Sequence, residues 1–303
     1  MQVRKVPTRQ GLAWFRDAIN LGSRNPKAVF GAALLLIGAM YLFVAILGVA
    51  AAMLGGAGDG EAASGALMFV ALAMTLALMM LMPILLGGLM HVIREVEAGR
   101  PARATDLFAP FRSGRLPQLA ALGVLQVVVA IVFGLLLVSI TGTDYMKEYM
   151  AAMHDLMSGA LKAMPEPRHP VLLFVLQVGY NYFTYVAMLL AVPLVLFSRA
   201  TVLDAVRDAL RASVSNVAPN LLAAVLFVLG TLVAFLVVVL LAVLLGTLGA
   251  LVHPIVGTLL TAAVLLAFGT ALLVVLAGGA YFAWRDSFEG EGSSPPPFKG
   301  IEA

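Results

Sequence analysis

Six stretches of this chain are apolar over lengths that suit a lipid bilayer: residues 28–54, 66–90, 116–140, 171–197, 221–245 and 255–284. A spanning helix needs about 20 such residues. None of the six contains Asp, Glu, Lys or Arg. Gly246, Gly249, His253 and Pro254 separate the fifth from the sixth, and that punctuation predicts a tight hairpin. The first run is longer than the roughly 7–15 apolar residues of a secretory signal, so it reads as an uncleaved span. The expected fold is all-α, a polytopic bundle of transmembrane helices over residues 28–286. A basic amphipathic segment, residues 1–27, precedes it. A disordered tail, residues 287–303 with Pro295, Pro296 and Pro297, follows it.

Composition agrees with burial in lipid. Hydrophobic residues make up 62% and charged residues 12%, against about 25% charged in soluble domains. The absence of cysteine excludes disulfides, Cys-ligated metals and thiol chemistry. The basic pI of about 9.3 would suit nucleic acid, but Lys and Arg flank the apolar runs. Anionic lipid headgroups are therefore the expected partner, and nucleic acid is not. Segments 1–27, 91–115, 198–216 and 285–303 fall on one side and hold 16 of the 19 basic residues; Lys147, Lys162 and Arg168 fall on the other. That asymmetry predicts both termini in the cytoplasm.

The basic segments resemble one another. Trp14-Phe15-Arg16-Asp17-Ala18-Ile19 leads to Asn25-Pro26 and the first span. Val206-Arg207-Asp208-Ala209-Leu210 leads to Asn216, Pro219 and the fifth. Asp106, Gly114 and Pro117 precede the third at matching spacing. The pattern predicts three parallel units, each an amphipathic helix, an Asn or Gly stop in the left-handed conformation, and a proline-initiated hairpin of two spans. Arg16, Arg24, Arg112, Arg115, Arg207 and Arg211 are expected to face headgroups, with Trp14, Phe15, Ile19 and Leu21 lying flat at the membrane boundary.

The opening segment, Val6-Pro7-Thr8-Arg9-Gln10-Gly11-Leu12-Ala13-Trp14 through Asn25-Pro26, resembles the start of an uncharacterised family of proteobacterial six-span inner-membrane proteins. Residues 204–219 are distantly similar to junctions in the membrane domain attached to some glycerophosphodiester phosphodiesterases. The resemblance implies a location in the bacterial inner membrane and no activity. The catalytic barrel of those phosphodiesterases has no counterpart in this chain.

Enzyme signatures are missing from the sequence: no His-Glu-x-x-His, Gly-x-Ser-x-Gly or phosphate-binding lysine loop. No cofactor is expected. The outer loop carries Met146, Met150, Met153 and Met157 at helical spacing, which predicts an amphipathic helix over about residues 143–164. Thioethers suit Cu(I), although adaptable packing is the commoner use of methionine. The fourth span carries Gln177, Tyr180, Asn181 and Thr184, with Gln126 of the third as a possible partner. These side chains either pack against one another or line a cavity. Two readings of function stand. One is a non-enzymatic protein that organises lipid or assembles other membrane proteins. The other is an uncoupled transporter or channel for a small or apolar substrate, since coupled transport generally needs ionisable groups inside the spans.

Overall fold

The computed structural model describes residues 3–55, 61–157, 163–198 and 200–289. Its helices are α1 (Gln10–Arg24), α2 (Pro26–Gly55), α3 (Glu61–Glu97), a 3-10 turn (Ala104–Phe108) running into α4 (Ala109–Arg112), α5 (Leu116–Thr141), α6 (Thr143–Met157), α7 (Pro170–Phe197), α8 (Val202–Ser215), α9 (Val217–Val252) and α10 (Pro254–Phe288). Among the described residues there is no strand. Six of these helices, α2, α3, α5, α7, α9 and α10, are long and apolar enough to cross a membrane. The chain is thus an all-α, multi-pass membrane bundle.

Several helices outrun the apolar stretches. Helix α3 continues through Arg94, Glu95 and Glu97, and α10 through Arg285 and Asp286, so the long helices do carry charge at one end. Ser287 and Phe288 are buried at the end of α10 rather than part of a tail, and residues 290–303 lie outside the described residues. Helix α9 runs unbroken through Gly246 and Gly249 to Val252. The turn is His253 alone, in extended conformation, its Nδ1 accepting from the Ile255 N–H at 3.2 Å. The two glycines serve packing instead: a Cβ on Gly249 would sit 2.9 Å from the Gly257 Cα of α10. The expected helix over 143–164 is described as α6 to Met157, residues 158–162 lie outside the described residues, and Ala163 to His169 is coil, where Pro165, Pro167 and Pro170 bias the residues before them away from helix.

The packing is cyclic. The second helix of each hairpin, α3, α7 and α10, packs against the other two at the centre. Helix α2 sits between α3 and α10, and α5 between α7 and α3. The short helices follow the same order. The 3-10 turn before α5 packs on α2 and α3, and α8 packs on α7 and α5. Helix α1, first in the chain, packs on α9 and α10, the last hairpin, and so closes the ring. The symmetry breaks at one place: α9 packs on α10 and α1 but has no comparable contact with α7.

Small residues permit these approaches. A Cβ on Gly88 of α3 would lie 1.8 Å from the Leu107 carbonyl oxygen, and one on Gly278 of α10 would lie 3.4 Å from the Ala18 Cα. On α8 the buried face is Ala205, Asp208, Ala209, Ala212 and Ser213.

The junctions differ from expectation in detail. Gly114 has φ +67°, but Asn25 (φ −149°) and Asn216 (φ −117°) are not left-handed. Their amides act through side-chain hydrogen bonds instead: the Asn25 Oδ1 accepts from the Ala28 N–H at 3.2 Å. Pro26 opens α2 and Pro117 is the second residue of α5, while Pro219 is the third of α9. The three aspartates also part company. Asp106 accepts from the Arg103 N–H at 2.8 Å, Asp17 is 3.5 Å from Arg16, and Asp208 is buried, 3.9 Å from Arg211.

The apolar face of α1 turns into the bundle. Gly11, Trp14, Ala18 and Leu21 recur on one face and are buried, and that face meets α9 and α10 rather than lipid. Leu12 and Ile19, with Arg16, occupy the exposed face. Overpacking generally costs about 1–3 kcal/mol. Gly88→Ala is therefore expected to lower the melting temperature of the detergent-solubilised protein, whereas Gly38→Ala, which meets open space, leaves it unchanged or raises it. Equal melting of the two variants would refute the close approach of Leu107 to α3.

Candidate functional site

The polar chemistry of the bundle gathers where α10 ends. Asp286 is buried, with its side chain 3% exposed. Its Oδ2 accepts from Gln10 Nε2 and from Trp14 Nε1, both at 2.8 Å, and its Oδ1 accepts from Arg285 Nε at 3.0 Å. A carboxylate taken out of water is stable only with such donors. Beside it, Asn216 ties three chain segments together. Its Oδ1 accepts from the Val6 N–H at 2.9 Å, and its Nδ2 donates to the Arg4 carbonyl at 3.0 Å and to Ser287 Oγ at 3.3 Å. The Arg4 N–H donates to the Ser287 carbonyl at 3.0 Å. The first two dozen residues are thereby locked to the last helix and to the α8–α9 junction.

Ion pairs extend this layer. Arg285 also pairs with Glu97 across α10 and α3. Arg94 pairs with Glu289 at 3.3 Å, and its guanidinium lies 4.4 Å from the Phe197 ring centre and 5.9 Å from that of Trp284. Burial pushes the Glu289 carboxyl above its usual range, with Arg94 opposing the shift. Arg100 holds Glu95 through two bonds of 2.5 and 2.6 Å, and those hydrogen bonds raise the Arg100 pKa. A sequence signal for this layer exists. Gly87-Gly88 precedes Arg94-Glu95 by the same spacing with which Gly278-Gly279 precedes Arg285-Asp286. The match places glycine where a short helix docks and an arginine–acid pair two turns later.

Next to this layer, the open seam between α7 and α9 holds a cavity of about 250 Å³. Trp14 and Phe15 of α1, Leu189 of α7, Ala224 and Phe227 of α9 and Gly279 of α10 are among its walls. No Asp, Glu, Lys, Arg or His lines it. Its amide is Asn220, 9% exposed, whose Nδ2 makes no hydrogen bond of sound geometry. The neighbouring Tyr182 hydroxyl donates to the Ser213 carbonyl at 2.8 Å. A wider apolar cleft of about 670 Å³ separates the outer halves of α2 and α10, and none of the buried unpaired polar atoms lines it.

The polar residues of the fourth span do not converge on an internal path. Gln177 is exposed and donates to Asn181 Oδ1, one turn along its own helix, at 3.0 Å. The Tyr180 ring stacks on Phe133 at 3.9 Å, and Tyr180 is hydrogen-bonded to Thr184. Gln126 meets Thr184 at a separate cavity of about 160 Å³ between α5, α7 and α8. Of the basic residues, Arg16, Arg24, Arg112, Arg207 and Arg211 are exposed, and Arg115 is half-buried. Met146 and Met153 are half-buried on α6 and Met150 is exposed, while the Met157 side chain lies outside the description.

No family model, curated protein or solved structure matches this chain. The resemblance of its opening segment therefore rests on sequence alone.

Removing one partner of a buried charged network typically costs about 3–5 kcal/mol. Asp286→Ala, which strands the Trp14 and Gln10 donors, is expected to cause a large loss of thermal stability in detergent. Asp286→Asn keeps one acceptor and should recover part of it. A melting temperature unchanged by Asp286→Ala would mean that the N-terminal segment is not held through this carboxylate.

Proposed function

We propose that this chain is a multi-pass protein of the bacterial inner membrane, with both termini in the cytoplasm, and that its role is non-enzymatic: organising membrane lipid or assembling other membrane proteins. The observation that carries the reading is the polarity of the bundle. Both described ends of the chain, the three short helices and the exposed Arg16, Arg24, Arg112, Arg207 and Arg211 share one end, where anionic headgroups attract cations by about 1 kcal/mol each. At the opposite end the exposed cations Lys147 and Arg168 stand among the exposed acids Asp144, Glu148 and Glu166. The interior supports the same reading over transport. The contact between α3, α7 and α10 is filled by buried apolar side chains such as Leu89, Ile93, Val192, Val195 and Ala277, and the polar groups of α7 bond locally.

Reporter fusions test the orientation. Alkaline phosphatase fused at Asp155 should be active, and fused at Ser113 or after Glu289 inactive; the reverse pattern overturns the topology. Purified protein in vesicles tests the role. Retention of phosphatidylglycerol over phosphatidylethanolamine should fall when Arg16, Arg112, Arg207 and Arg211 are changed together to Gln, and small neutral solutes should not leak. Solute flux that depends on the protein would favour the transporter instead.

A further inference from the structure

The seam between α7 and α9 is a lateral opening with a specific chemistry. Its walls are apolar and carry no formal charge. Its edges are lipid-facing helices: Tyr185 of α7 is 61% exposed and Val228 of α9 is 54% exposed. Asn220 is among its lining residues, and its Nδ2, beside the Tyr182 hydroxyl, makes no hydrogen bond of sound geometry. An NH₂ group carries two donors. The adjacent Tyr182 oxygen, already donating to Ser213, can take one at most. At least one N–H is thus left over at a site that is nine-tenths buried. An orphan donor in such a setting costs as much as a lost hydrogen bond, and an acceptor that arrives along an apolar path would satisfy it. Asn220 also lies in the first turn of α9, at the basic end of the bundle and so near headgroup depth. Arg16, on the helix that contributes Trp14 and Phe15 to the cavity, is exposed.

We infer that the seam is a binding site for a glycerophospholipid, with one acyl chain between α7 and α9 and its ester carbonyl accepting a hydrogen bond from Asn220 Nδ2. The inference rests on the lipid-organising role and assigns it a place in the fold. The apolar walls match the chain, and the lone amide matches the single polar group that a lipid carries at that depth. Exposed Arg16, on the helix that carries Trp14 and Phe15, is a cation suited to the phosphate.

Gly279 supplies a clean test. It lines the cavity, yet a Cβ there meets nothing within 4 Å. Gly279→Leu therefore starts from an unobstructed Cβ, projects into the site and improves helix propensity. The full-length protein is reconstituted in vesicles of phosphatidylethanolamine and phosphatidylglycerol containing phosphatidylglycerol with a diazirine on one acyl chain, then photolysed. Label should concentrate on residues 221–230 and 275–284 above the outward face of α5, and Gly279→Leu should reduce it to the α5 level without lowering the melting temperature. Unlabelled diester phospholipid should compete about fivefold better than its diether counterpart, the worth of one net hydrogen bond, and Asn220→Leu should abolish that preference. Seam labelling in the unsubstituted protein no higher than on α5 overturns the proposal, as does labelling indifferent to Gly279→Leu or equal competition by the two lipids. Cross-linking of the seam in native membranes to a helix of another protein, with no lipid label, would assign it to a protein partner and also overturn it. The topology fusions and flux measurements are independent of these outcomes, so failure here is distinguishable from failure of the broader reading.

Discussion

A carboxylate buried at the end of a transmembrane helix must find all its donors within the protein, and the arrangement of this bundle follows from how Asp286 does so. Two of its donors, Gln10 and Trp14, come from the opposite end of the chain. The third, Arg285, is also paired to Glu97 of α3. One side chain therefore connects α1, α3 and α10. Asn216 adds the α8–α9 junction and the segment before α1. With little hydrophobic force between helices in lipid, packing and polar bonds hold a bundle together. Here the polar bonds are concentrated at one end, and toward the other a cleft opens between α2 and α10.

The helices themselves were legible because apolar length is the strongest signal a sequence carries. The three-unit order was legible too, through the spacing from Asp17 to Asn25 and from Asp208 to Asn216. What those residues do was not. Asn25 and Asn216 suggested left-handed stops, but Asn216 is an anchor for the N-terminal strand of chain. Trp14 and Leu21 suggested a helix resting on headgroups, because amphipathicity says that a face is buried without saying against what. The mate of that face lies some 260 residues away in the sequence, on α10, and no local pattern reveals so distant a contact. Arg285 and Asp286 directly follow the last apolar run. Only the converging donors reveal it as internal. The polar residues of α7 left packing and a cavity open, and spacing of four places Gln177 beside Asn181 on the same helix, where Gln177 donates to Asn181.

The open seam is a consequence of closing a ring with a linear chain. In the first two units the short helix that packs on a hairpin is covalently continuous with it through a loop. The last hairpin takes its cap from the N-terminal helix instead. Helix α1 fills that role, but it brings Trp14 and Phe15, which are far larger than the alanines with which α8 meets α7. Trp14 is turned toward Asp286 by its hydrogen bond. Phe15 reaches along α9 as far as Gly230, where a Cβ would meet its ring at 2.8 Å. These two rings line the cavity between α7 and α9. The same indole that closes the ring on its polar edge thus keeps its apolar side free to line the cavity. Stability and the lateral opening are, in this bundle, two effects of one contact, and a chain that replaced Trp14 with a smaller residue would weaken the first while collapsing the second.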